Sequence, residues 1–236
     1  MCLAPGLSVY DMHHQADSVF SDRTAAGKEL ADRLVSYRGQ DCVVLALPRG
    51  GVPVALPVAR MLSAPLDLLF VRKIGAPYYP EVAIGAVIDG DPPQVVMNES
   101  MPDGFAAPEG YLETEVPRLL QEIHRRRQLY LGGRKAVPIA GRVAVMVDDG
   151  IATGATMRAG LLGLAQQKPL RIVVAVPVAP RDALDRLQAV ADDIVCLCTP
   201  ASFCAVGLHY RDFTQVGDAE VMAILRDSGT DKEWPV

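Results

Sequence analysis

The segment from Asp148 to Thr156, Asp-Asp-Gly-Ile-Ala-Thr-Gly-Ala-Thr, combines residue types that suit the binding of a ribose phosphate. Two adjacent carboxylates can accept hydrogen bonds from the vicinal hydroxyl groups of a ribose. Glycine lets the backbone approach a phosphate closely, and threonine adds a hydroxyl donor. A helix that begins at Ala155 would add free N–H groups and the positive end of its dipole. The segment therefore predicts a site for a ribose 5-phosphate group.

The five residues before this segment, Val143-Ala144-Val145-Met146-Val147, are apolar and predict a buried strand. Ligands of α/β proteins bind at the carboxyl ends of such strands, which is where the two carboxylates would lie. An ordinary strand-to-helix turn is the alternative, with a threonine as the N-cap of the helix. Rossmann and Walker phosphate loops are excluded, because neither G-x-G-x-x-G after a strand nor G-x-x-x-x-G-K-S/T occurs.

Short apolar runs alternate with segments of helical periodicity along most of the chain, which is typical of a parallel sheet that is buried on both faces. The apolar runs predict strands at 42–47, 66–71, 82–88, 94–97, 142–147, 171–176 and 193–197. The periodic segments predict helices at 23–37, 54–62, 117–131, 155–167, 181–190 and 218–226. Pro117 is expected in the first turn of its helix, where its missing N–H group does no harm.

Three motifs resemble those of the type I phosphoribosyltransferase superfamily. The segment 143–156, VAVMVDDGIATGAT, resembles its signature for binding phosphoribosyl pyrophosphate (PRPP). Residues 47–51, Leu-Pro-Arg-Gly-Gly, resemble the pyrophosphate loop after the first core strand, and 71–73, Val-Arg-Lys, resemble the Arg-Lys pair after the next strand. The resemblance covers about residues 20 to 215, and it is strongest to bacterial phosphoribosyltransferase-domain proteins of undefined acceptor.

The resemblance implies a role for each part of these motifs. The two carboxylates would bind the ribose hydroxyls, residues 152–156 would hold the 5′-phosphate, and the loop at Arg49 together with Lys73 would contact the pyrophosphate. Mg²⁺ is expected to be held through PRPP and water, with no metal site built by the protein. The expected catalytic residues are Arg49, Lys73, Asp148 and Asp149. The expected substrate-binding residues are Arg49, Gly50, Gly51, Lys73, Asp148, Asp149, Gly150, Ala152, Thr153, Gly154, Ala155 and Thr156.

Ala152 departs from one branch of the superfamily. Enzymes that act on 6-oxopurines resemble this pattern but carry Asp at the equivalent position, close to the base. The alanine therefore argues against hypoxanthine or guanine as the acceptor. Enzymes for adenine carry the same Ala-Thr-Gly, so adenine stays open, although no segment matches their base-recognition region.

Several other residues allow two interpretations. Arg23, at the start of the first predicted helix, either reaches the site or is solvated. The arginine run 125–127 is expected to be a solvated face, with attraction of a polyanionic substrate or a dimer contact as alternatives. Phe203 and Tyr210 are candidates for stacking on a planar acceptor.

Composition excludes several classes of protein. The net charge of −5 argues against sequence-independent binding of nucleic acid, because no large positive field is available to attract phosphates. No apolar run reaches the roughly 18 to 20 residues of a membrane span, and no signal peptide is recognisable. Five cysteines without an export signal indicate reduced thiols, and hence a cytoplasmic protein.

Together these observations predict one α/β domain over residues 1–236 with the type I phosphoribosyltransferase fold, a mostly parallel sheet flanked by helices. The core would span about 20–200, and a small hood would come from the N-terminal arm and about 200–236. The expected activity is Mg²⁺-dependent transfer of a phosphoribosyl group from PRPP to a nitrogenous base or related acceptor, by a homodimer. One alternative is a non-catalytic regulatory protein that binds PRPP or a nucleotide. The other is a phosphohydrolase with an aspartate nucleophile, although this sequence lacks the D-x-D spacing that such enzymes usually show.

Overall fold

A five-stranded parallel sheet lies at the centre of the computed structural model, with its strands in the order β2-β1-β6-β7-β8. The described residues are 19–90, 92–98, 105 and 107–228. The strands are β1 (Cys42–Ala46), β2 (Leu66–Leu68), β3 (Val71–Ala76), β4 (Tyr79–Ile88), β5 (Gln94–Met97), β6 (Val143–Val147), β7 (Arg171–Val178) and β8 (Asp193–Cys198). The helices are α1 (Arg23–Arg33), α2 (Gly51–Leu62), α3 (Tyr111–Leu131), α4 (Ala155–Gln166), α5 (Arg181–Leu187) and α6 (Asp218–Asp227).

The central sheet is buried on both faces, which explains why its strands are continuous apolar runs. Val44 and Ala46 of β1 pack into one core with residues of α1, α2, α3 and α6. Val43 and Leu45 point to the opposite face and pack into a second core with residues of α4 and α5. The prediction of a mostly parallel sheet flanked by helices is thereby confirmed. Residues 1–18 of the N-terminal arm and residues 229–236, both assigned to the hood, lie outside the described residues.

The predicted strand 66–71 is wrong, because it is two strands in different sheets. β2 pairs with β1 in the parallel sheet, whereas β3 starts an antiparallel sheet of order β3-β4-β5. Leu69 and Phe70 join the two strands and are as buried as their neighbours, so hydropathy marks no boundary. As a result, Lys73 lies within β3 and not in a loop after a strand.

Helix boundaries also differ from the sequence prediction. The helix expected at 117 begins at Tyr111, so Pro117 lies inside it and not in its first turn. The helix expected at 54 begins at Gly51, and α5 ends at Leu187 rather than 190. The helix expected to reach 37 ends at Arg33 and is followed by a 3-10 turn at 35–37.

Arg127, one of the three arginines at 125–127, holds α3 in place, so the prediction of a solvated face is wrong for it. Arg127 pairs with the buried Asp89 at the end of β4 and lies 4.0 Å from Asp67 of β2. Arg126 pairs with Glu122 at 3.2 Å on the same helix. The buried Asp89 requires a partner such as Arg127, since an unpaired buried charge is costly. Arg125 is exposed.

The contact between α1 and α2 depends on a glycine. Gly27 is buried in α1, and a methyl group on its Cα would overlap the main-chain carbonyl of Val54 in α2. Glycine in a helix interior usually costs about 0.5–1 kcal/mol relative to alanine, so the close approach of two helix backbones explains its presence here.

We expect Gly27→Ala to lower the free energy of unfolding by about 1–3 kcal/mol, because the added methyl group overpacks the contact between two helix backbones. The measurement is urea unfolding. Gly217→Ala is the control, since no atom lies within 4 Å of a methyl group at that position. A more stable Gly27→Ala variant would show that helix propensity outweighs the packing constraint.

Candidate functional site

The two loops singled out by the sequence meet at one edge of the central sheet. β1 and β6 are parallel neighbours whose last residues, Ala46 and Val147, lie opposite each other. The Leu47 N–H donates to the Val147 carbonyl oxygen at 2.9 Å, so the two chains leave the sheet side by side. The loop 47–51 is therefore adjacent to Asp148 and Asp149, as the shared edge of parallel strands requires.

Glycines make this close approach sterically possible. A methyl group on Gly50 would overlap the Asp149 carboxylate. A methyl carbon on Gly51 would lie 2.7 Å from the Val147 carbonyl oxygen and 3.0 Å from the Cα atom of Asp148. Any larger residue at either position would push the two loops apart. The structure thus gives both glycines a packing reason to be in this loop.

The two carboxylates lie largely out of water. Burial raises the pKa of both Asp148 and Asp149, and the negative charge of its neighbour raises the pKa of Asp148 further. Two hydrogen bonds lower the pKa values and so oppose the effect of burial. The Asp149 N–H donates to Asp148 Oδ1 at 2.9 Å, and Arg23 Nε donates to Asp149 Oδ2 at 2.8 Å. Burial and the two donors therefore act on the pKa values of this pair in opposite directions.

Arg23 belongs to the site, which resolves the two interpretations of this residue. Its side chain and that of Asp149 are only 11% and 14% exposed. Tyr210 is also part of the site, but not as a stacking surface for a ligand: it is 6% exposed, and its hydroxyl donates to the Asp149 carbonyl oxygen at 2.6 Å. Phe203 stacks on His209 with ring centroids 5.9 Å apart.

The loop 150–154, expected to bind phosphate, leads into α4 without a side-chain cap at its N-cap residue. Gly154 is the N-cap residue, with φ at +78°, a conformation that favours glycine. The alternative of a threonine N-cap is therefore wrong, and the Thr153 hydroxyl lies 3.4 Å from the Ala155 N–H group. Ala152 and Thr156 are exposed. The loop thus presents hydroxyl groups and the N–H groups of the first helical turn to a ligand.

A cavity of about 340 Å³ adjoins this loop, between α4 and the antiparallel sheet. Residues 153–156 line one end of it, and Lys73 of β3 also contributes to its lining. Arg158 and Arg186 add two further cations. The structure therefore brings Lys73 together with the expected 5′-phosphate loop.

The Arg49 side chain does not line this cavity and instead faces α6. Its guanidinium is 3.4 Å from Asp218 Oδ1, the oxygen that also accepts a hydrogen bond from the Tyr130 hydroxyl at 2.6 Å. The hydrogen bond from Tyr130, together with nearby Arg49, lowers the pKa of Asp218. Sequence reasoning missed Asp218 and Tyr130, because no motif surrounds them and α6 and α3 reach Arg49 only in the folded chain.

Within the described ranges, no three His, Cys, Asp or Glu side chains gather in a way that could hold a metal ion. In that part of the chain no helix has both the length and the apolar character to cross a membrane.

Comparisons with known proteins agree with the motifs. The profile of the family described as phosphoribosyl transferase domain matches residues 17–210. The Mycobacterium tuberculosis protein Rv0571c (strain H37Rv), provisionally described as a phosphoribosyl transferase, is 46% identical over 207 residues, which are 88% of this chain and 46% of that protein. The same values hold for its counterpart MT0597 from strain CDC 1551 / Oshkosh. The chain therefore spans about half the length of these curated relatives.

A solved structure is similar over nearly its whole length. The crystal structure of TT1426 from Thermus thermophilus has 45% sequence identity to this chain and a TM-score of 0.76, covering 89% of this chain and 98% of that one. The matched family profile includes both loops of the site, the carboxylate pair and β3. The chain belongs to the phosphoribosyl transferase domain family.

Proposed function

We propose that this protein transfers a phosphoribosyl group from PRPP to a nitrogenous base or related acceptor and releases pyrophosphate. The observation that carries the proposal is the meeting of three features at one sheet edge. These are the buried carboxylate pair, the glycine loop 47–51 that contacts it, and the uncapped start of α4. The first suits ribose hydroxyls, and the other two suit phosphate groups.

The sugar phosphate would be held by the segment 148–156. Asp148 and Asp149 would accept hydrogen bonds from the two ribose hydroxyls, which requires that both carboxyl groups are charged. The 5′-phosphate would lie at the N-terminus of α4, where the N–H groups of the first turn and the hydroxyls of Thr153 and Thr156 can donate to it.

The pyrophosphate would be bound by Arg49 and Lys73, with the main chain of Gly50 and Gly51 beside it. The two cations lie on different sides of the site, since Arg49 faces Asp218 and Lys73 lines the cavity beside α4. Arg49 is only weakly tied, because its 3.4 Å contact is with a partly exposed carboxylate. A pyrophosphate group bearing several charges would compete effectively for it.

In the proposed reaction, a lone pair on an acceptor nitrogen forms a bond to the anomeric carbon while the bond from that carbon to pyrophosphate breaks. The pyrophosphate leaves with the bonding pair, and the acceptor nitrogen loses its proton to solvent or to a base. Positive charge develops on the ribose next to the carboxylates, and negative charge develops on the leaving group next to Arg49 and Lys73. Fixed charges of this kind lower the barrier because they need no reorganisation.

Mg²⁺ is part of this proposal as a companion of the substrate. Oxygens of the bound substrate and water would hold the ion beside the carboxylate pair. When bound, it would neutralise charge on the leaving group. Ala152 is exposed at the start of the phosphate loop and lacks the carboxylate that 6-oxopurine enzymes carry there, which supports an acceptor other than hypoxanthine or guanine.

We also propose that the protein is a cytoplasmic homodimer. Each subunit would form a single domain with a hood over the site. Cys42, Cys196 and Cys204 are free thiols, as a reducing compartment would keep them. Phe20 and Ser21 form main-chain hydrogen bonds with His209, Arg211 and Asp212, which supports a hood to which segments near residues 20 and 210 contribute. Sedimentation or light scattering would report the mass in solution.

Asp149→Asn is expected to weaken PRPP binding by about tenfold to a hundredfold, the loss typical of a hydrogen bond to a charged group. Calorimetric titration with PRPP and Mg²⁺ measures it, and Asp32→Asn on the exposed face of α1 is the matched control. Unchanged affinity would contradict the proposed sugar site. Binding by the unmodified protein without pyrophosphate release, across a panel of bases, would instead favour a regulatory protein.

The two pyrophosphate cations can be tested by comparing PRPP with ribose 5-phosphate. Arg49→Ala and Lys73→Ala should each weaken PRPP binding by about tenfold, but ribose 5-phosphate binding by less than about twofold. Arg60→Ala, an exposed arginine of α2 paired with Asp227, is the control. If Lys73→Ala weakens both ligands equally, Lys73 contacts the 5′-phosphate and its assignment to the pyrophosphate is wrong.

Asp148→Asn should stabilise the ligand-free protein while it weakens PRPP binding. Because burial raises the pKa of Asp148, its charged form costs folding free energy at pH values above that pKa. Removing the charge should raise the free energy of unfolding by about 0.5–2 kcal/mol at about pH 8. The gain should shrink as the pH falls toward about 4, where the unfolded chain also holds the proton. Urea unfolding with Asp32→Asn as control tests this, and a pH-independent difference would contradict it.

A further inference from the structure

Arg23 is held at the carboxylate pair by the start of α1. Asp22 caps that helix by accepting a hydrogen bond from the Ala25 N–H group at 2.8 Å, which fixes the direction of the first turn. From there Arg23 Nε reaches Asp149 Oδ2 at 2.8 Å, across 126 positions of sequence. Both side chains are nearly buried, so the pair is shielded from solvent.

The guanidinium group of Arg23 is also held by a segment near the C-terminal end of the described chain, 210–214. Its Nη1 donates to the Thr214 carbonyl oxygen at 2.9 Å, and its central carbon lies 3.9 Å from the centre of the Phe213 ring. The Tyr210 hydroxyl donates to the Asp149 carbonyl oxygen. A planar, permanently charged group suits this combination of stacking and directed hydrogen bonds, which a lysine could not reproduce.

We propose that Arg23 is a positioning residue of the PRPP site: it fixes the orientation and the negative charge of Asp149 and ties the segment 210–214 to the sugar-binding carboxylates. By occupying Oδ2, Arg23 leaves Oδ1 to accept a ribose hydroxyl. This inference rests on the proposed function, because it assigns Arg23 a role in the same site.

The charged and titratable groups that face Asp149 explain why the arginine matters. They are Arg23 from α1, Asp148 from the same loop, and the Tyr210 hydroxyl. Arg23 is the cation among them, and its hydrogen bond and charge lower the pKa of Asp149 against the effect of burial. Without it, two adjacent buried carboxyl groups would share a proton at higher pH and would offer fewer acceptors to the ribose.

The test is a double-mutant cycle with PRPP and Mg²⁺, measured by calorimetry from about pH 6 to about pH 9. Arg23→Gln should weaken binding by about tenfold or more near neutral pH, and the loss should shrink toward the upper end of the range. In an Asp149→Asn background, Arg23→Gln should change affinity by less than about twofold. Lys28→Gln, on the exposed face of the same helix, is the matched control and should bind as the unmodified protein does.

A loss that is equal at every pH, or that persists in the Asp149→Asn background, would overturn the proposal, because Arg23 would then act on the ligand or on the fold by another route. If Arg23→Gln does not fold, the cycle is run with Arg23→Lys. That variant keeps the charge but loses the stacking on Phe213, and its loss should likewise vanish in the Asp149→Asn background.

A second measurement separates this inference from the proposed function. Carboxyl-carbon NMR of the ligand-free protein, with the Asp149 signal assigned by Asp149→Asn, reports the pKa of Asp149 directly. Arg23→Gln should raise that pKa, and an unchanged value would overturn the role of Arg23 whether or not PRPP binds. Failure of the unmodified protein to bind PRPP would overturn the proposed function, and with it the assignment of Arg23 to a PRPP site.

Discussion

Two adjacent carboxyl groups, those of Asp148 and Asp149, lie at the end of β6, and most of the site is arranged around them. Burial and mutual repulsion both favour the protonated form of Asp148 and Asp149, whereas binding of ribose hydroxyls needs them charged. Two donors act in the opposite direction and favour the charged form: the main-chain N–H group of Asp149 and the guanidinium of Arg23. The folding free energy spent on this pair comes from the two apolar cores on either side of the sheet.

The second constraint is the distance between two neighbouring loops. β1 and β6 leave the sheet together, and the loops that follow them are in van der Waals contact only because positions 50 and 51 carry no side chain. This contact brings the main chain of the glycine loop to the carboxylates. In the proposed reaction, the leaving group and the sugar would then be held at one point without long side chains, whose ordering would cost entropy.

The antiparallel sheet and α3 complete the site from the other side. Arg127 links α3 to Asp89 at the end of β4, and Tyr130 near the end of the same helix reaches Asp218, the partner of Arg49. β3 carries Lys73 to the cavity beside α4. Arg49 is positioned by the loop after β1 in the central sheet, whereas Lys73 is positioned by β3 in the antiparallel sheet. The two cations therefore lie on different sides of the carboxylates.

The sequence by itself determined the features that depend on neighbouring residues. Apolar runs predicted the strands of the central sheet, and the segment 148–156 indicated the proposed sugar site, because periodicity and loop composition are local properties. Only the tertiary structure decided which strands pair, so the run 66–71 proved to be two strands, one in each sheet. It also decided the partners of charged groups: Arg23 meets Asp149 across 126 positions, and Arg49 meets Asp218 across 169. Such contacts depend on how helices pack on the sheet, and no short pattern in the sequence records that packing.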